Sequence, residues 1–221
     1  MSELIFALDT TGEHGSLALA RITGSCEAEL LEETPVHSMD GFSGVLFGEI
    51  ERLLARHGAG AEDIACFAAT SGPGSFTGVR VGLACIKGLA EAAGKPVVGV
   101  STLDALLTFG TRHQRAAVLD ARRGEAYCSF EGIETVADLP RWLQSLPPGA
   151  LEIVSTDFTP FGAALQDSRF TLTRAPRELA GAVAGIAARR RLAGGALDPA
   201  AIDANYVRRS DAEMKWKESP R

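Results

Sequence analysis

Residues able to do chemistry concentrate in the run Thr70-Ser71-Gly72-Pro73-Gly74-Ser75-Phe76-Thr77-Gly78-Val79-Arg80-Val81-Gly82. It lies between an apolar strand pattern, Ile64 to Ala69, and an Ala/Gly/Leu-rich helical segment, Val79 to Ala93. Glycines and short hydroxyl side chains at a strand-to-helix junction leave backbone N–H groups accessible. Such a turn suits a phosphate, or another backbone that must come close. A simple turn that seats a helix tightly against a sheet has the same composition. The run matches neither G-x-x-x-x-G-K-[ST] nor G-x-G-x-x-G. Ser71, Ser75 and Thr77 have no histidine and carboxylate spaced to activate them, and Ser75 is not in a G-x-S-x-G elbow, so a hydrolase is disfavoured. Histidines at i, i+4 on one helix would suggest a metal. Four residues after His37 stands Gly41, and His14, His57 and His113 form no such pair. His37 reads as a strand end or helix cap, and no metal site is expected.

The elements that must position this run follow from periodicity. Leu4 to Leu8 reads as a strand buried on both faces, and Ser16 to Ile22 follows it across a Gly-containing turn as a hairpin. Ala28 to Thr34 adds a more polar edge strand. Gly41 to His57 is a helix with Phe42, Val45, Leu46, Ile50, Leu53 and Leu54 at three- and four-residue spacing, Phe47 off that stripe and Gly58 at the C-terminus. After the glycine run and its helix come a strand over Pro96 to Val100 and a helix start at Ser101, with Asp104 reaching back to it as in a capping box. Ala117-Val-Leu-Asp120-Ala-Arg122-Arg123-Gly124 then echoes Phe6-Ala-Leu-Asp9-Thr10-Thr11-Gly12, the signature of a repeated half-domain. The second copy is poorer: a strand over Glu125 to Glu131, a short helix over Val136 to Gln144, a strand over Leu151 to Ser155 and a long helix over Leu179 to Leu192. The expected division is 1–112 and 113–221, with no flexible linker and a polar tail carrying Trp216.

Bulk properties narrow the class. The 221 residues are 46% hydrophobic and 23% charged, as in an ordinary globular protein. A net charge of −6 with pI near 5.3 argues against direct grip on nucleic acid. Cys26, Cys66, Cys85 and Cys128 form no C-x-x-C pair, and Cys66 and Cys85 sit in apolar runs, so reduced structural thiols in a cytoplasmic protein are expected. No stretch has membrane-spanning length.

Asp9-Thr10-Thr11, the glycine run, Gly99-Val-Ser-Thr-Leu103 and Leu119-Asp-Ala-Arg-Arg-Gly-Glu-Ala-Tyr127 together resemble the bacterial TsaB (YeaZ) family, and Tyr206 to Glu213 resembles its closing segment. The resemblance runs from residue 4 to about residue 130 and is weak over 131–200. It implies an α/β protein of two ribonuclease-H-like lobes, the actin/Hsp70/sugar-kinase fold, with a shortened second lobe. It also implies an accessory, non-catalytic subunit of the machinery making threonylcarbamoyladenosine at adenosine 37 of ANN-decoding tRNAs. Such a subunit binds and activates TsaD and supports TsaE, forms a homodimer when alone, and meets tRNA only through the complex.

In a working ATPase of that fold, Asp9 and Asp120 would hold magnesium, and Thr10, Gly72, Gly74 and Ser75 would touch nucleotide. Each aspartate can equally cap its own turn as an Asx motif. Ser155-Thr156-Asp157-Phe158, at the second-lobe adenosine position, has no glycine, which disfavours ATP hydrolysis. No cofactor is required on this reading; ATP or ADP, with magnesium only alongside it, stays open, as does an active ATPase or metal-dependent hydrolase. The helix from Val79 is apolar nearly all round and must be covered on more than one face. The pattern alone also fits a helix fully buried in its own domain; the resemblance implies a partner surface instead, expected at Phe42, Leu46, Phe47, Val79, Arg80, Gly82, Leu83, Ile86 and Ala90. Arg122 and Arg123, like Arg80, stand beside glycine turns where an anion or partner carboxylate could meet them, whereas Arg189-Arg190-Arg191 reads as a solvated helix end.

Overall fold

The computed structural model describes residues 3–24, 27–37 and 41–208. Strands β1 (Leu4–Asp9), β2 (Gly15–Ile22) and β3 (Ala28–Val36) form an antiparallel meander. Helix α1 (Leu46–Arg56) leads to β4 (Ile64–Gly72), α2 (Phe76–Ala93) and β5 (Val97–Ser101), and both later strands run parallel to β1. The first sheet has the order β3-β2-β1-β4-β5. After α3 (Thr102–Leu107) the pattern repeats: β6 (Arg115–Asp120), β7 (Glu125–Phe130), β8 (Ile133–Asp138), α4 (Leu139–Ser145), β9 (Leu151–Ser155) and β10 (Phe170–Arg174). The second sheet, β8-β7-β6-β9-β10, reproduces the first strand for strand. This is the duplicated, two-lobed α/β fold that the echo of Asp9 in Asp120 implied.

The second copy is shortened at one definable place. Where the first half has the eighteen residues of α2, the second has only a 3₁₀ turn, Thr159–Phe161, between β9 and β10. Two elements also differ from expectation. Val136 to Asp138 ends strand β8 and does not begin the helix, because Asp138 is the N-cap, accepting from the Arg141 amide, with Pro140 in the first turn. Strand β10 was not expected, since Thr171 and Thr173 interrupt any apolar run.

The last helix, α5 (Ala180–Leu192), packs on the first sheet although it comes from the second half, while α3 packs against the second. Each lobe thus lends the other a helix, and the lobe built on the first sheet draws on chain beyond residue 112. The exchanged helices fuse the halves: Leu103, Leu106, Ala117, Val154, Val183 and Ala187 belong to one buried cluster. No side chain of α5 caps its own start. Instead Ser16 Oγ on β2 accepts from the Leu179 and Ala180 amides at 3.1 and 3.0 Å, and Glu33 on β3 accepts from Gly181 N at 2.8 Å. At its far end Arg189 is exposed, but Arg190 donates to Gly99 O and Asp104, and Arg191 pairs with Glu3. Asp104 is therefore turned to Arg190, while Ser101 caps α3 alone, accepting from Leu103 N and Asp104 N.

The outer face of the first sheet is covered by α1 and α2 and that of the second by α4. The linker is held, not loose. Buried Glu152 accepts from the Thr111 and Arg112 amides at 2.8 and 2.7 Å and from Thr173 Oγ1 at 2.6 Å. Burial pushes its pKa up, but these donors outweigh that and hold it below the ordinary glutamate range. Cys66, Cys85 and Cys128 are free and buried, and burial pushes their thiols up to about 11, 11 and 12; Cys26 and Trp216 lie outside the described residues. Among the described residues no helix is long and apolar enough to cross a membrane.

Candidate functional site

The sequence-predicted site residues fall in two places: the cleft between the lobes and the outer layer of α1 and α2. Parallel strands β1 and β4 both end at the cleft, and Asp9 closes the first of them. Its Oδ1 accepts from Thr11 N (2.9 Å), Thr11 Oγ1 (2.7 Å) and Thr70 Oγ1 (2.6 Å), with the residue 2% exposed. Burial raises its pKa despite those three donors. The bond to Thr11 N is the Asx turn. Asp120 does the same for its own hairpin, accepting from Arg122 N at 2.8 Å.

The glycine run is shaped by internal contact. Ser75 Oγ caps α2 by accepting from Gly78 N, and Ser75 N donates to Thr11 O at 2.7 Å. Thr10 Oγ1 donates to Gly78 O at 2.8 Å. A Cβ on Gly74 would stand 2.6 Å from Thr11 O, one on Gly78 1.9 Å from Thr10 O, and one on Gly82 2.4 Å from Thr10 Oγ1. Three glycines therefore exist so that α2 can lie directly against the end of β1. The close-approaching backbone that the run admits is the chain's own. Gly72, with φ of 106°, is buried beneath Asn205.

Asp9, Gly74, Ser75, Thr102, Asp120 and Asp157 nevertheless line one cleft of about 540 Å³. Of the residues expected to touch nucleotide, Asp9, Gly74 and Ser75 meet there. Thr10 is turned into the α2 contact and Gly72 lies outside the lining. All three donors meet Asp9 Oδ1, and Asp120 Oδ2 is paired with Arg122 at 3.4 Å. His14 and His37, far apart in sequence, meet edge to face at 5.9 Å, and His14 Nε2 lies beside the Arg177 guanidinium. A cation there opposes a metal, and no cluster of three or more metal-ligating side chains occurs among the described residues.

On the outer layer the expected partner surface needs correction. Phe42, Leu46, Val79, Gly82, Leu83, Ile86 and Ala90 are all buried in the chain's own core. Val79, Leu83, Ile86 and Ala90 of α2 turn toward the sheet, whereas Phe76 is exposed and Val81 and Leu89 are half-buried. Phe47, 62% exposed, and Arg80 are the expected surface residues that do face solvent. Ala84 and Gly88 are also exposed on α2, and a Cβ on Gly88 would meet nothing within 4 Å. The signal for both in the sequence is their i, i+4 spacing opposite the Leu83–Ile86–Ala90 stripe. Arg80 is already engaged, stacked 3.7 Å over the Phe76 ring and donating to Tyr206 Oη at 3.0 Å. Arg122 pairs with Glu13 at 3.1 Å.

A family profile described as "TsaD: tRNA N6-adenosine threonylcarbamoyltransferase" matches residues 34–140. The "tRNA threonylcarbamoyladenosine biosynthesis protein TsaB" of Escherichia coli is 42% identical over 82 residues, 35% of this chain and 36% of that one. Its Haemophilus influenzae counterpart is 35% identical over 122 residues, 51% of this chain and 52% of the relative. The chain thus spans between about a third and a half of the length of these curated relatives. The solved structure of "YeaZ from Pseudomonas aeruginosa" superposes with a TM-score of 0.75 at 23% identity, covering 92% of this chain and 99% of that one. That likeness shows the fold across both lobes.

Proposed function

We propose, for a chain that belongs to the TsaB (YeaZ) family, that it is a non-catalytic cytoplasmic subunit of the complex forming threonylcarbamoyladenosine at adenosine 37 of ANN-decoding tRNAs. In this reading it binds and activates TsaD, supports TsaE, touches tRNA only through the complex, and pairs with itself when TsaD is absent. The observation that carries the reading is the outer layer of the first lobe. Phe47 stands 62% exposed on α1, and α2 presents Ala84 and Gly88 outward with open space above them. Small residues let a partner helix come close, and an exposed aromatic ring gives it an anchor. The acidic net charge fits a subunit whose contact with RNA is indirect.

The cleft supports the non-catalytic assignment. Asp9 Oδ1 is taken up by the Thr11 and Thr70 donors, and Ser155-Thr156-Asp157-Phe158, where β9 ends, has no glycine. The convergence of Asp9, Gly74 and Ser75 on one cleft favours a second, weaker reading, in which ATP or ADP is held there and is not hydrolysed.

Mixing with purified TsaD tests the proposal. Co-elution that is lost in Phe47→Glu and in Ala84→Glu, both keeping the unmodified thermal midpoint, supports it. Absence of co-elution, together with full tRNA modification by TsaD and TsaE without this chain, overturns it. ATP turnover by the purified chain that disappears in Asp9→Ala would assign an enzyme instead.

A further inference from the structure

We propose that residues 202–208 form a strap that fixes the separation of the two lobes across the cleft. A 3₁₀ turn, Pro199–Ala201, delivers this segment to the end of the first sheet. Ile202 is buried on Gly99, where a Cβ would stand 3.1 Å from its side chain. Asn205 N donates to Ser71 O at 2.7 Å, and a Cβ on Gly72 would stand 3.0 Å from Asn205 O. Tyr206 closes this side, its ring 5.7 Å from Phe76 and its hydroxyl accepting from Arg80. Two glycines of the first lobe thus lie beneath the segment as a track for it.

The same seven residues hold the second lobe. Asn205 Nδ2 donates to Glu134 Oε2 at 2.6 Å, on β8. Glu134 also accepts from Ser101 Oγ of the first lobe. Arg208 donates to Ala121 O at 2.9 Å, forms an ion pair with Glu125, and lies over the Tyr127 ring. Asn205 therefore faces both lobes at once, through its amide to β4 and its side chain to β8. The covalent linker, clamped by Glu152, and the buried cluster shared through α3 and α5 are separate attachments. A further tie at a different place removes the hinge freedom that those leave at the cleft. The strap acts whether or not the α1–α2 face carries a partner.

Paired spin labels test it. Cysteines introduced at Glu51 on α1 and Arg141 on α4, both exposed, report the distance between lobes. Cys66, Cys85 and Cys128 stay unlabelled because they are buried with raised thiol pKa, and Cys26→Ser removes the remaining thiol. The unmodified strap should give one narrow distance distribution. Asn205→Ala combined with Arg208→Ala, which keeps the direct Ser101–Glu134 bond, should shift it to longer values and broaden it. Arg191→Ala, which breaks a tie to Glu3 on the first sheet, should leave it unchanged. Should the double variant fail to fold, Asn205→Ala alone decides. A folded strap variant that keeps the narrow distribution, or Arg191→Ala broadening it equally, overturns the proposal.

Discussion

Gly78→Ala and Gly88→Ala make the same chemical change on one helix and should move stability in opposite directions. At Gly78 the added methyl would stand 1.9 Å from Thr10 O, a backbone atom that cannot rotate aside. Helix α2 must retreat from β1, which also stretches the 2.8 Å bond from Thr10 Oγ1 to Gly78 O. Forced overpacking costs about 1–3 kcal/mol or somewhat more, and a strained buried hydrogen bond adds about 1. The better helix propensity of alanine returns up to about 1 kcal/mol. The net loss should be about 1–4 kcal/mol, or roughly 2–16 °C in thermal midpoint for a chain of this size. Gly88 has open space, so only the propensity gain applies, and its midpoint should rise by about 2–4 °C. Scanning calorimetry and urea denaturation on the isolated chain measure both. A Gly78→Ala protein within about 0.5 kcal/mol of the parent would refute the claim that the run serves helix approach, and would reopen the phosphate reading.

Two further outcomes follow from the buried polar groups. Asp9 keeps its proton more tightly folded than unfolded, so its contribution is fully present below the ordinary aspartate value of 3.8 and declines as pH rises toward its raised folded pKa. Asp9→Asn should remove that downward slope, read from urea midpoints across acid to neutral pH; an unchanged slope contradicts the assignment. Ser16→Ala should leave the Leu179 and Ala180 amides without their acceptor and cost about 1–3 kcal/mol. Amide exchange should quicken first at the start of α5, and quickening spread evenly over the chain would count against the cap.

The first lobe was legible because its signals are local. The hairpin of β1 and β2, the edge strand β3 and the turn-helix-strand series from Ile64 to Ser101 all carry their own periodicity and caps. The Asp9/Asp120 echo also identified the duplication, which the matching strand orders bear out. What sequence spacing could not carry was exchange between lobes. Helix α5 has a weak amphipathic pattern because it is buried by the opposite lobe's sheet, and its cap comes from Ser16, more than 160 residues away along the chain. Arg190 and Arg191 looked like a charge group shed into solvent for the same reason. Their partners Gly99, Asp104 and Glu3 are local to nothing in their own segment.

The candidate surface failed to be legible for a different reason, and it bears on how α2 works. A helix rich in small and apolar residues on all sides gives one averaged signal, yet its small residues serve two opposed purposes. Gly78 and Gly82 face inward, where Thr10 allows no Cβ; Ala84 and Gly88 face outward over open space. Hydrophobicity ranks Leu83, Ile86 and Ala90 as the natural docking stripe, but those residues are what hold α2 on the sheet, and exposing them would unfold the layer. On the proposed function, a partner would meet the side that carries less of that signal, where Ala84 and Gly88 allow close backbone approach and Phe47 of α1 and Phe76 of α2 stand exposed. Bulk at position 84 or 88 should accordingly weaken association more than loss of any leucine on α2 could without unfolding it.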